Sequence, residues 1–146
     1  MVDCKKWKPR RLIGLDPDSF DVYAGGPRRS NVLIVGQAGE SEGFTLLRME
    51  VCGKAVIGFV RNASDAKRAS VLDVLPSPKL KGLEAFVLTQ CQSRRPEGKG
   101  DIFAVIQAGK TNEAPAMKAW MAGHEPGLIR EINPKHVTCL DDSSGI

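Results

Sequence analysis

The sequence has no apolar run near the roughly 18 residues that a membrane-spanning helix requires, so no membrane span is expected. Basic residues stand at its start, but no apolar stretch comes after them, and the pattern of a secretory signal is missing. There is also no CxxC pair. Cys4, Cys52, Cys91 and Cys139 lie far apart, and in a chain without a secretory pattern this leads us to expect reduced thiols and a cytoplasmic setting. The sequon Asn62-Ala63-Ser64 is then an empty match. Aromatic residues are few, with five Phe, two Trp and one Tyr, so no base-stacking platform of the RNA-binding-sheet kind can be read. The two histidines, His124 and His136, offer no HxxxH spacing. Zinc sites draw two ligands from one short loop, so neither a metal nor another cofactor is expected.

The 146 residues that are present suit one ordinary domain. A chain of this length buries roughly two-thirds of its unfolded surface, which makes a stabilising metal or disulfide unnecessary. With 42% apolar and 26% charged residues, disorder along the whole chain is excluded. The net charge of +4 is modest, but its placement is uneven: Lys5, Lys6, Lys8, Arg10 and Arg11 crowd the first eleven residues against Asp3 alone. Two further pairs, Arg28-Arg29 and Arg94-Arg95, sit beside Gly and Pro in expected loops. Residues 1–11 thus read as a basic arm, 12–140 as a single α+β domain and 141–146 as a polar tail.

Within the domain, a short strand is expected from Phe20 to Ala24 and another at Val32–Val35, with a polar loop over residues 36–43 after it. Phe44–Val51 and Ala55–Val60 alternate as the arms of a hairpin, with Gly53 in the turn where a positive φ is wanted. Asp65–Leu75 reads as a helix capped by Ser64, because Ala69, Leu72 and Leu75 fall on one stripe. Strands are expected at Leu83–Cys91 and Ile102–Gln107. A second helix is expected over Glu113–Ala122, capped by Thr111 or Asn112, with Ala116, Met117, Trp120 and Met121 as its buried stripe and Gly123 as its stop. Leu128–Ile132, resuming at His136–Leu140, closes the order. Helices and strands do not alternate regularly, which excludes a doubly wound parallel sheet. The expected fold is α+β: a curved, mainly antiparallel sheet of about six strands packed by two helices.

Several segments approach known motifs and miss at the residue their chemistry needs. Ile102–Thr111 runs through Gly109-Lys110-Thr111 as a P-loop does, but the Gly that lets amides wrap the phosphates is Ala104. Gly36, Ala38 and Ser41 occupy the three glycine positions of a dinucleotide fingerprint. The acidic run beginning Asp16-Pro17-Asp18 has Phe20 and Asp21 where a calcium loop needs a ligand and a glycine, so a turn rich in acceptors is expected there.

The remaining candidates define the functional expectations. The leading one is a non-catalytic binding or adaptor module that meets a protein or a nucleic-acid-like polyanion. Its contacts would be Lys5, Lys6, Trp7, Lys8, Arg10, Arg11, Arg28, Arg29, Arg94 and Arg95, the cations steering and the indole stacking or gripping. An alternative is a small enzyme, with Cys91 or Cys139 as nucleophile and His124 or His136 as base. A third is a carrier of a small ligand in an apolar pocket. Pairing of two chains through an edge strand such as Phe44–Val51 would make a dimer.

Overall fold

The computed structural model describes residues 3–22, 31–95, 98–109 and 112–140. Strands hold 57% of the described residues and helical turns 8%, and no helix reaches seven residues. The antiparallel pairing expected from the sequence is present, but the α+β class and the two packing helices are not. The chain divides into two compact units, Met1–Ser77 and Pro78–Ile146. No helix among the described residues is long and apolar enough to cross a membrane.

Unit 1 is a five-stranded sheet ordered β1 (Asp21–Val22), β2 (Val32–Ser41), β3 (Phe44–Val51), β4 (Lys54–Arg61) and β5 (Ser70–Pro76). β1 runs parallel to β2, and the other neighbours are antiparallel. Two-residue turns join the central strands. Cys52-Gly53 takes φ of 52° and 79°, and Glu42-Gly43 takes 49° and 87°. Positive φ at both turn positions matches the right-handed twist of the flanking strands, which fixes the register of both hairpins. The expected hairpin is therefore present. The expected polar loop over 36–43 is instead the end of β2 and its turn, and β3, paired on both sides, is no edge for dimer formation.

One face of this sheet carries Leu47, Met49 and Val51 on β3, Val56 and Val60 on β4, and Val71 and Val74 on β5, all buried. Leu12 and Phe20 complete that core, with Trp7 packed against it. Each fully buried Val or Leu contributes about 1.5–3 kcal/mol by leaving water. Gly58, opposite Leu47, gives Met49 its place: a side-chain carbon there would collide with the Met49 methyl.

The first expected helix is overturned here. Ser64 and Lys67 close a bridged turn, their backbones exchanging hydrogen bonds of 2.8 and 3.2 Å, and residues 70–76 are β5. Val60 opposes Val71 while Phe59 opposes Asp73, so Leu72 is an extra residue in the ladder. That bulge puts Val71 and Val74 on the buried face although they are three apart, while Leu72 and Leu75 of the expected stripe are only half-buried.

Unit 2 has β6 (Glu84–Val87), β7 (Cys91–Ser93), β8 (Gly100–Gln107), β9 (Glu113–Gly123), β10 (Leu128–Ile132) and β11 (Val137–Leu140), in the order β6-β8-β9-β11-β7 with β10 also on β9. The second expected helix is thus the strand β9, the longest among the described residues. β9 pairs with β8 along one side, and on the other with β11 near its start and β10 near its end. Residues 119–123 are buried without alternation, so the apolar pattern carries no period of two. One core cluster of this unit is small-residued, with Ala104, Ile106, Ala114, Ala119, Val137 and Cys139, and Phe103, Trp120 and Met121 are buried besides.

The four thiols expected to be reduced are paired instead. Cys4 is bonded to Cys52 and Cys91 to Cys139, each pair 48 residues apart. Sequence spacing holds no hint of this, because neither pair is local.

Candidate functional site

The basic segment at the N-terminus is fastened to unit 1 at four points. Asp3 starts a turn, its carboxylate accepting from the Lys5 amide at 3.0 Å and its carbonyl from the Lys6 amide at 3.1 Å. Cys4 is then bridged to Cys52 in the β3–β4 turn. Trp7 packs on the core, and Pro9–Leu12 forms a 3-10 turn that buries Leu12 completely. Pro at the first position of this turn supplies the fixed φ and lacks only an amide that would have no partner there. Finally the Gly14 amide donates to Val71 at 2.8 Å and the Val71 amide to Leu15 at 2.9 Å, lacing the segment to β5.

Between these anchors Lys5, Lys6, Lys8, Arg10 and Arg11 are all exposed. None of the five has an ion-pair partner among the described residues. The Cys4–Cys52 bridge adds Lys54, exposed two residues beyond Cys52, to the same end of the unit. Lys54 escapes a reading of the sequence because only the pairing of the two cysteines brings it to the arm. The result is a ridge of six cations on a backbone already ordered, so little further chain entropy is lost on binding.

The other expected contacts fall elsewhere. Arg28 and Arg29 lie outside the described residues. Arg94 and Arg95 belong to unit 2, where the Arg94 guanidinium donates to the Lys135 carbonyl at 3.2 Å and the Arg94 amide to the His136 carbonyl at 2.8 Å. Arg95 is held by its amide on the Ser93 hydroxyl at 3.2 Å. His136 ends the 3-10 turn Pro134–His136, and the His124 amide donates to Lys99 at 2.9 Å. With Cys91 and Cys139 bonded to each other, neither carries the thiolate that a nucleophile needs.

The acceptor-rich turn at Asp16 is as expected: its carboxylate caps the Asp18 amide at 2.9 Å, and its carbonyl accepts the Ser19 hydroxyl at 2.7 Å. No cluster of three or more metal-ligating side chains occurs among the described residues. Lys110 and Thr111 of the Gly-Lys-Thr run lie outside them, and the next element of the chain is the strand β9 rather than the helix that a P-loop feeds.

Comparison with family models, curated proteins and solved structures finds no match for this chain. Function therefore rests on the geometry of its own residues.

Proposed function

We propose that the chain is a non-catalytic binding module that docks a polyanion, a chain of phosphates or sulfates, on the cation ridge of unit 1. The observation that carries this reading is that the ridge is held by the Cys4–Cys52 bridge, Trp7 and Leu12 while its charges stay in water. A solvated, frayed terminus would have no such fastening. Each phosphate neutralised releases a counterion, so affinity falls with salt in proportion to the contacts made.

Fluorescence-polarisation titrations with single-stranded RNA, single-stranded DNA and a heparin oligosaccharide test this. With six cations engaged on a single strand, log K should fall with log salt at a slope of about 4, roughly three-hundredfold between 50 and 200 mM. Neutralising Lys5 and Lys6 to Gln should lower the slope by about 1.4. Preference for heparin over RNA and DNA would identify a sulfated partner. Absence of binding at low salt, or binding that Lys5 and Lys6 do not affect, would remove the proposal.

The cysteine–histidine enzyme reading would first require the Cys91–Cys139 bridge to open, so it ranks below this one. The two bridges also oppose a cytoplasmic setting, where glutathione and thioredoxin keep thiols reduced. We propose an oxidising setting for the folded chain. Rapid alkylation on cell lysis should leave all four cysteines unmodified, and four alkylated cysteines would return the chain to the cytoplasm.

A further inference from the structure

The face of the unit 1 sheet that carries the core is covered in part by Trp7, Leu12 and Phe20. Where the segment Pro17–Val22 meets that face near Thr45 and Val60, a cleft of about 580 Å³ remains. That volume lies within the range of small-molecule sites. Its floor is apolar, with Ile34, Leu47, Val60 and Ala69 among the lining residues and Phe20 on the opposite wall.

The polar groups of the cleft come from an irregularity in β2. Register along the β2–β3 ladder pairs Ile34 with Met49, Gln37 with Leu47 and Glu40 with Thr45, with shifts between Ile34 and Gly36 and between Gln37 and Gly39. Each shift inserts one extra residue, so side chains three apart rather than two apart face the same way. Gln37 and Glu40 are thereby brought to the face of Leu47 and Thr45. A connected string results. The Thr45 hydroxyl donates to Asn62 Oδ1 at 2.7 Å, Asn62 Nδ2 to Glu40 Oε1 at 3.3 Å, and Gln37 Nε2 to Glu40 Oε2 at 3.4 Å. Glu40 thus orients the two amides that line the cleft and leaves its negative charge behind them. On the opposite wall stands the exposed carboxylate of Asp18, and no Lys, Arg or His is among the described lining residues.

An apolar floor, amide groups fixed by a carboxylate and a second carboxylate at the wall select one ligand class. We propose that this cleft binds a small organic cation, an ammonium group on an apolar body, with the body on Leu47 and Val60 and the ammonium toward Asp18 and the Gln37–Asn62 side. The site is independent of the cation ridge, and its ligand has the opposite charge to the ridge's.

Phenethylammonium and 3-phenylpropanoate share a body and differ in the sign of their charge, so together they test the proposal by methyl NMR titration of the full chain. Phenethylammonium should shift the Ile34, Leu47 and Val60 methyls saturably with a dissociation constant in the millimolar range or tighter, as suits so small a ligand. The propanoate should bind about tenfold more weakly. Asp18→Asn should weaken the ammonium by about two- to fivefold, as an exposed charge contact allows, without altering the rest of the spectrum. Ala63→Trp, at an exposed position on the rim, should fill the cleft and abolish the shifts. Equal binding of the two probes, shifts that survive Ala63→Trp, or no saturable shift with phenethylammonium would each overturn the proposal. Heparin and RNA titrations of the same variants should be unchanged, which keeps a failure here distinct from a failure of the ridge.

Discussion

Replacing Cys4 and Cys52 together by Ala is expected to cost unit 1 about 4 kcal/mol and to loosen its cation ridge. The bridge closes a loop of 48 residues, and the chain-entropy relation for a loop of that length gives about 4 kcal/mol at 25 °C. A domain of ordinary stability holds only about 5–15 kcal/mol in total, so this one change would bring unit 1 near its unfolding threshold. Trp7 is the tryptophan of unit 1 and Trp120 that of unit 2, so urea unfolding followed by fluorescence in single-tryptophan backgrounds reads each unit separately. The Trp7 transition should move and the Trp120 transition should move less.

The same variant separates the structural role of the bridge from its proposed functional one. Without urea, and at a temperature where the fold survives, Lys5 and Lys6 would still be present but no longer held beside Lys54. Polyanion affinity should then drop several-fold while the salt slope changes little, because the charges remain and only their arrangement is lost. An unchanged affinity would mean that a flexible arm serves equally well. The Cys91–Cys139 bridge spans the same number of residues, so the chain-entropy contribution is equal and any difference between the two variants belongs to the folded state. That bridge joins β7 to β11, already paired with Cys91 opposite Cys139.

Where the sequence is plain, local geometry decides the structure. The β3–β4 hairpin is readable because its strands alternate and its turn carries a Gly at positive φ. The strands at 102–107, 128–132 and 137–140 are readable for similar reasons. The two expected helices fail by different routes. In β5 the extra residue Leu72 breaks the period of two, so burial falls on Val71 and Val74 and the expected stripe residues Leu72 and Leu75 are only half-buried. In β9 burial on both faces over 119–123 removes the period altogether, leaving a cluster of apolar residues that a helical stripe also fits. The ridge is legible as charge, but its fastening is not, since Cys4 and Cys52 are neighbours only in three dimensions. The cleft is not legible at all: two bulges in β2 bring Gln37 and Glu40 to one face, and the polar run at 36–43 shows only as a loop.

Trp120→Ala is expected to destabilise unit 2 by about 3–5 kcal/mol, the usual cost of emptying a buried tryptophan site, and its pattern of couplings distinguishes strand from helix. Trp120 is 7% exposed. Its ring stacks on Phe103 with centroids 5.7 Å apart and planes 16° apart, and it meets Phe86 edge-on at 5.7 Å. Phe86 and Phe103 also meet edge-on at 5.8 Å, so β6, β8 and β9 each contribute one ring to a mutually contacting trio. Such ring pairs add about 0.5–1.5 kcal/mol beyond their buried area. Because Phe103 opposes Trp120 directly in the β8–β9 ladder, a double-mutant cycle between them should show a coupling of that size or more. Met117 is 47% exposed in β9, so a cycle between Trp120 and Met117 should be additive. A helix over Glu113–Ala122 demands the reverse, since residues three apart on a helix are neighbours and Phe103 has no fixed relation to them. Hydrogen exchange of the amides over 100–123 gives the readout. Trp120→Ala should speed it by roughly a hundredfold or more, as 3 kcal/mol of lost stability implies, while Trp120→Phe, which keeps a ring in place, should cost less than Trp120→Ala.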